Sequence, residues 1–145
     1  MCGFHWYGFP RFIKQGFVTY LISLAREKGV SAFVGEGKNR WSAAHLSDTA
    51  HLYRLALEKG SARRYHAVAE QGVPLRDIAE VIGRRLKLPV VANSPAEAAK
   101  HFGWLGGFVG FDGLASSTLT RERLGWRPVG PGLITDLERA HNLEI

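Results

Sequence analysis

The sequence has little of three features that would restrict its location. It has a single cysteine, Cys2, so an intrachain disulfide cannot form. No apolar run approaches the ~20 residues that span a bilayer. Residues 1–6 lack a basic stretch followed by an apolar core, so the sequence predicts no signal peptide. We therefore expect a cytoplasmic protein with no membrane partner.

The chain also lacks a concentrated basic segment. Lys and Arg number 19 against 13 Asp and Glu, a formal charge of +6, but the cations are scattered. Arg63–Arg64 and Arg84–Arg85 are the only adjacent pairs. A basic surface without a run or stripe is typical of a solvated face, so we do not expect a nucleic-acid partner.

A glycine-rich dinucleotide loop is missing as well. Such a loop connects a strand to a helix, so that backbone N–H groups meet the pyrophosphate. The nearest segment is Gly103–Gly110, which follows a predicted helix and lacks the G-x-G-x-x-G spacing. We interpret it as a flexible aromatic loop. No P-loop pattern occurs.

What is present is one folded domain's worth of sequence. The 145 residues are 46% hydrophobic and 22% charged, which is ordinary for a globular protein. Periodicity and cap residues predict helices over Phe17–Lys28, Ser47 or Asp48 to Lys59, Pro74–Leu86, Ser94–Phe102, Thr120–Gly125 and Leu133–His141. Short strands are predicted at Val30–Val34, Trp41–Leu46, Arg64–Ala69 and Leu88–Ala92. The helix that follows Asp48 is expected to bury Ala50, Tyr53, Ala56 and Leu57. The fold class is α/β or α+β, with several helices packed on a few short strands.

Two segments carry a family resemblance, Asn39–Asp48 and Thr120–Pro128. Both resemble the C-terminal, substrate-binding half of extended short-chain dehydrogenase/reductases, in the NAD-dependent epimerase/dehydratase branch. The resemblance covers roughly residues 16–139. It implies a remnant of the C-terminal part of an NAD(P)-binding Rossmann-type protein, with residues 16–145 as one domain. Residues 1–15 are an aromatic segment outside the family pattern, as a truncated gene, an internal start or a shifted frame would produce.

The resemblance also directs attention to a catalytic residue pair of the family that this chain lacks. The family's catalytic tyrosine is followed four residues later by a lysine. Here Tyr20, Tyr53 and Tyr65 are followed by Leu24, Leu57 and Ala69, and Tyr7 is followed by Arg11. We therefore assign no catalytic residue, and we expect no cofactor for this chain alone, although the family uses NAD(P). Dehydrogenase activity is not expected.

By position, the resemblance makes Arg40, Trp41 and His45 the candidate substrate-binding residues. The arginine of this motif often meets a substrate phosphate, which suits bidentate guanidinium chemistry. We expect a small anionic or polar ligand. Structural roles compete with this interpretation, since Asp48 can cap a helix and His45 can be a satisfied, partly buried histidine.

Two other classes of function stay open. His45, Ser47 and Asp48 are the residue types of a hydrolase triad, although no G-x-S-x-G elbow exposes the serine. Alternatively, the chain is a non-catalytic interaction domain. Strand edges left by a missing half are a liability, and a second copy would cover them, so we expect a homodimer or larger homo-oligomer. No recognised metal spacing occurs.

Overall fold

The α/β class is confirmed by the structure, a computed structural model that describes residues 6–7, 16–62, 64–140 and 143. The helices are α1 (Phe17–Lys28), α2 (Leu46–Lys59), α3 (Leu75–Leu86), α4 (Pro95–Phe102), α5 (Gly106–Val109), α6 (Thr118–Leu124) and α7 (Leu133–Arg139), with a 3₁₀ turn at Gly103–Leu105. The strands are β1 (Trp6–Tyr7), β2 (Ser31–Val34), β3 (Arg40–His45), β4 (Glu70–Pro74) and β5 (Val90–Asn93). Apart from the backbone of β1, the aromatic segment 1–15 lies outside the described residues.

Two small sheets organise these elements. β3 lies between β1, which it pairs in parallel, and β4, which it pairs antiparallel. β2 and β5 form a separate parallel pair. α1 and α3 pack their apolar stripes against each other and against β2, and so build the main core. None of the described helices is long and apolar enough to cross a membrane.

Helix ends that depend on local chemistry match the sequence. α1 spans the predicted residues and ends at Gly29, whose φ of 69° is in the left-handed region. At α4, Ser94 accepts from the Glu97 amide, and the Glu97 side chain accepts in return from the Ser94 amide. This is the capping box that the sequence predicted, with Pro95 in the first turn.

The prediction for α2 was wrong in its cap and in its buried face. The N-cap is His45, whose ring accepts from the Ser47 amide, and neither Ser47 nor Asp48 caps the helix. Tyr53 is 50% exposed and Leu57 87% exposed. The reason is tertiary. The buried residues Leu52, Leu124 and Trp126 form a second hydrophobic cluster, with Ala56 partly buried against it, so the Leu52 side of α2 faces inward.

The predicted strand at Arg64–Ala69 is also absent, and the strand begins at Glu70. β4 is paired with β3 from Ala43↔Glu70 to Arg40↔Pro74, and a bond from the Ala69 amide to the Ala43 carbonyl extends this pairing by one residue. The preceding backbone bonds to side chains near α6 instead. The His66 amide donates to the Thr120 hydroxyl, and the Val68 carbonyl accepts from the Ser117 hydroxyl.

The segment Gly103–Gly110 is not a flexible loop, because the 3₁₀ turn and α5 occupy it. Leu105 and Val109 are buried in the main core and hold it in place. Gly106 permits the close approach to α4, since a Cβ there would lie 2.6 Å from the Ala99 Cα. The aromatic side chains of this segment, Trp104 and Phe108, are exposed.

Candidate functional site

Arg40 begins β3 and is joined to Asp112, which lies 72 residues later. The guanidinium donates from Nε to Asp112 Oδ1 at 3.1 Å and from Nη2 to Oδ2 at 2.9 Å, and the Arg40 amide donates to Oδ1 at 2.7 Å. These bonds stabilise the carboxylate, so the pKa of Asp112 lies below its ordinary value. Both side chains are nearly half exposed. Arg40, which was predicted to bind an anion, therefore lies at the surface and already binds a carboxylate in bidentate geometry.

Trp41 has a packing role beside this pair. Its ring lies 4.6 Å from that of Phe17, centroid to centroid, and its indole N–H donates to the Val109 carbonyl at 3.3 Å. The Asn39 amide group donates to the Val109 and Phe111 carbonyls. Residues 39–41 thus fasten the 109–113 segment, which brings Asp112 to Arg40.

One exposed apolar side chain lies beside Arg40, and a second belongs to the residue that precedes Asp112. A Cβ on Gly72 would lie 2.4 Å from Leu114 Cδ2 and 2.9 Å from Arg40 Cβ. These two side chains therefore both pack against the backbone of Gly72, which has no side chain of its own. Leu114 is half exposed, and Phe111, next to Asp112, is mostly exposed. We call the patch formed by Arg40, Asp112, Phe111 and Leu114 the Arg40 surface. It combines a bidentate cation with apolar area, as sites for small organic anions do.

His45 lies at the opposite end of β3, about 16 Å from Arg40 at five residues of strand rise. Its Nδ1 accepts from the Ser47 amide at 3.3 Å and lies 2.6 Å from the Ser47 hydroxyl. Its Nε2 lies 3.9 Å from Asp136 Oδ1. Burial raises the pKa of Asp136, and the adjacent His45 opposes that shift. The structure brings Arg40 and Trp41 together, but His45 belongs to a separate cluster.

Asp48 is buried and acts as a clamp on a distant loop. Its two carboxylate oxygens accept from the amides of Val129 and Gly130, each at 2.9 Å, and its backbone carbonyl accepts from the Trp126 indole N–H. In the residue set of the hydrolase hypothesis, Asp136 is therefore the carboxylate within ion-pair distance of the His45 ring, whereas both oxygens of Asp48 accept from backbone amides. The Ser47 hydroxyl bonds to the ring nitrogen that also caps α2. Among the described residues, no group of three or more His, Cys, Asp or Glu side chains could hold a metal ion.

Sequence reasoning missed Asp112 and Asp136, the partners of Arg40 and His45. No spacing rule connects them, because each pair joins elements more than 70 residues apart. The signal that was available is indirect: Asp112–Gly113 is turn chemistry directly before an apolar residue.

No protein-family model matches the chain. Two curated relatives match it, an uncharacterized Schizosaccharomyces pombe protein that is 52% identical over 124 residues and an uncharacterized Saccharomyces cerevisiae protein that is 46% identical over 130. These alignments cover 85% and 89% of this chain but only 42% and 44% of the relatives. The chain thus spans about two fifths of their length.

Solved structures identify the fold. The NAD-dependent NDP-hexosamine 5,6-dehydratase TunA matches with a TM-score of 0.66 at 16% identity, over 92% of this chain and 41% of its own. The dTDP-glucose 4,6-dehydratase DesIV from Streptomyces venezuelae matches at 0.64 and 18%, over 93% and 39%. A UDP-glucuronic acid 4-epimerase from Bacillus cereus matches at 0.59 and 16%, over 93% and 41%. The fold is that of the C-terminal part of these enzymes.

Proposed function

We propose that this chain is a binding domain for a small organic anion of the nucleoside diphosphate class, and that it does not transfer hydride by itself. The Arg40–Asp112 pair carries this proposal. A guanidinium that holds one carboxylate in bidentate geometry can hold a phosphate in the same way. A ligand phosphate would replace the Asp112 carboxylate, and the Arg40 amide would supply a further donor.

The chemistry of the Arg40 surface supports this class of ligand over a bare inorganic ion. Leu114 offers apolar area beside Arg40, and the exposed Phe111 directly precedes Asp112, which suits a flat base attached to a diphosphate. Two of the proteins of similar fold act on dTDP-glucose and UDP-glucuronic acid by their names, and the latter structure contains UDP-glucuronic acid and NAD. UDP-glucuronic acid is therefore the probe of choice.

The proposal that this chain does not transfer hydride by itself rests on two motifs that its 145 residues lack. Within its 145 residues there is neither a G-x-G-x-x-G loop nor a Tyr followed four residues later by Lys. The family's NAD(P) chemistry needs both, so we expect no turnover of NADH or NADPH by the 145-residue protein.

Calorimetric titration with UDP-glucuronic acid tests the proposal. We expect wild-type binding, and a loss of affinity of about tenfold or more in Arg40→Gln, because a charge-assisted bidentate contact is removed. Asp112→Asn should instead bind several-fold more tightly, since the ligand no longer displaces a charged competitor. Changes in opposite directions at two bonded residues are a signature that general destabilisation does not give.

Arg54→Gln is the matched control for lost charge. Arg54 forms a comparable exposed ion pair, with Glu58 on α2. Arg54→Gln should leave the affinity for UDP-glucuronic acid unchanged. Equal losses in Arg54→Gln and Arg40→Gln would mean that net charge alone attracts the ligand, and absence of wild-type binding would overturn the proposal.

A further inference from the structure

A second candidate site lies beside α6 and next to the Arg40 surface. Its lining residue Gln71 precedes Gly72, against which Arg40 and Leu114 pack. It is a cleft of about 290 Å³ between the start of β4 and the first turn of α6. Its lining residues are Ala69, Gln71, Ser116, Ser117, Thr118, Arg121 and Glu122. This volume is at the small end of the range for ligand sites and fits a compound the size of a monosaccharide. We call it the α6 cleft.

Arg121 in this cleft is held in a fixed orientation by neutral groups. Its Nε donates to the hydroxyl of Ser117 at 2.9 Å, and that hydroxyl donates to the Val68 carbonyl at 2.6 Å. Ser117 is only 4% exposed, so its position is set by packing. The guanidinium also lies 5.8 Å from the ring centroid of the fully buried Trp126. The side chain is therefore oriented before any ligand arrives.

The charge of Arg121 is not neutralised by these contacts. Within the part of the chain that the structure describes, no carboxylate lies within ion-pair distance of Arg121, as is also true of several other arginines, whereas Arg40 is paired with Asp112. A fixed guanidinium with neutral partners can bind an anion without first displacing a carboxylate.

The rim of the cleft selects a ligand that also carries hydroxyl groups. The hydroxyls of Ser116 and Thr118 lie 2.8 Å apart, and the exposed residue Gln71 also lines the cleft. Glu122 adds an acceptor for ligand hydroxyls, and its negative charge disfavours ligands with several phosphates.

We infer that the α6 cleft binds a small hydroxylated anion, a sugar monophosphate in chemical class, with Arg121 on the phosphate and the polar rim on the sugar. The contacts that orient Arg121 involve neither Arg40 nor Asp112, so this inference does not rest on the ligand proposed for the Arg40 surface.

Titration of ¹⁵N-labelled protein with glucose 6-phosphate, followed by NMR, tests the inference. The expected Kd is on the order of 0.1–1 mM for a ligand of this size. Shifts should appear at residues 69–71 and 116–122. Inorganic phosphate should bind more weakly at the same residues, and glucose should bind least.

Variants on one helix separate a site from general attraction by a basic protein. Arg121→Gln should weaken binding about tenfold or more. Arg123→Gln removes the same charge from an exposed position of α6 that does not line the cleft, and it should leave the Kd unchanged. Equal weakening in both variants, or wild-type shifts spread over the whole surface, would overturn the inference.

Two further variants test the inference even if Arg121→Gln does not fold. Gln71→Ala and Thr118→Val alter exposed rim residues and should weaken glucose 6-phosphate more than inorganic phosphate, because they contact the sugar. Unchanged selectivity would contradict the assignment of the rim. Arg40→Gln should retain glucose 6-phosphate binding, and Arg121→Gln should retain UDP-glucuronic acid binding, so failure of either proposal is visible separately.

Discussion

At the scale of single residues, the sequence and the structure assign different roles to the same side chains. Asp48 was expected to cap α2, but the residue is only 2% exposed and its carboxylate accepts from the amides of Val129 and Gly130. An N-cap needs only a position at a helix start, whereas this clamp depends on a loop some 80 residues away. His45 takes over the capping role because its ring reaches the Ser47 amide.

Replacement of Asp48 should therefore be costly for stability. We expect Asp48→Ala to lower the free energy of unfolding by about 2–4 kcal/mol, because two buried N–H groups lose a charged acceptor. Asp77→Ala removes an exposed acidic residue in the first turn of α3 and should cost under about 1 kcal/mol. Urea denaturation measures both, and equal costs would show that Asp48 has no clamping role.

At the scale of helices and strands, the sequence predicted correctly those features whose interacting residues are close together in the chain. The apolar stripe of α1, its terminal Gly29 and the capping box at Ser94 are each complete within a few residues, and all three are confirmed. The prediction of the buried face of α2 was wrong, because Trp126, which is distant in sequence, packs in the cluster that covers the Leu52 side of that helix. The same reason explains the Arg40 surface. Arg40 could be singled out from sequence, but Asp112 could be found only in the fold.

The junction of α4 and α5 offers a matched pair of glycines to test its packing. A Cβ at Gly106 would lie 2.6 Å from the Ala99 Cα and 2.9 Å from the Ala98 carbonyl oxygen, whereas one at Gly107 meets nothing within 4 Å. We expect Gly106→Ala to destabilise the protein by about 1–3 kcal/mol.

Gly107→Ala should be neutral or stabilising by up to about 1 kcal/mol, since alanine favours helix. Thermal and urea unfolding of the two variants give the comparison. If Gly106→Ala were as well tolerated as Gly107→Ala, then the 103–110 segment would not pack on α4 as described.

At the scale of the whole molecule, the uncovered face of α2 bears on the predicted homo-oligomer. Ala50 and Leu57 are exposed on the same helix as the Arg54–Glu58 ion pair. We propose that a second copy of this chain covers this face. Two α2 helices in antiparallel contact across a twofold axis would bring Arg54 of one copy towards Glu58 of the other, so the face is complementary to itself in charge.

Light scattering on the purified chain tests this arrangement. We expect a dimer mass for the wild type and a monomer mass for Leu57→Glu, because a buried charge opposes association. Phe108→Glu makes the same change at an exposed apolar position of α5 and should retain the dimer. A monomeric wild type, or equal dissociation in both variants, would contradict the proposal.

The clamp at Asp48 also sets an order of events while the chain is being made. Its partners are the amides of Val129 and Gly130, 81 and 82 residues further on. A ribosome that adds ~5–20 residues per second needs roughly 4 to 16 s to cover that distance. During this interval the carboxylate of Asp48 and the inner side of α2 have no native cover. The second hydrophobic cluster, which needs Leu124 and Trp126, can therefore close only late in synthesis, after the residues of α1 and α3 are already available to each other.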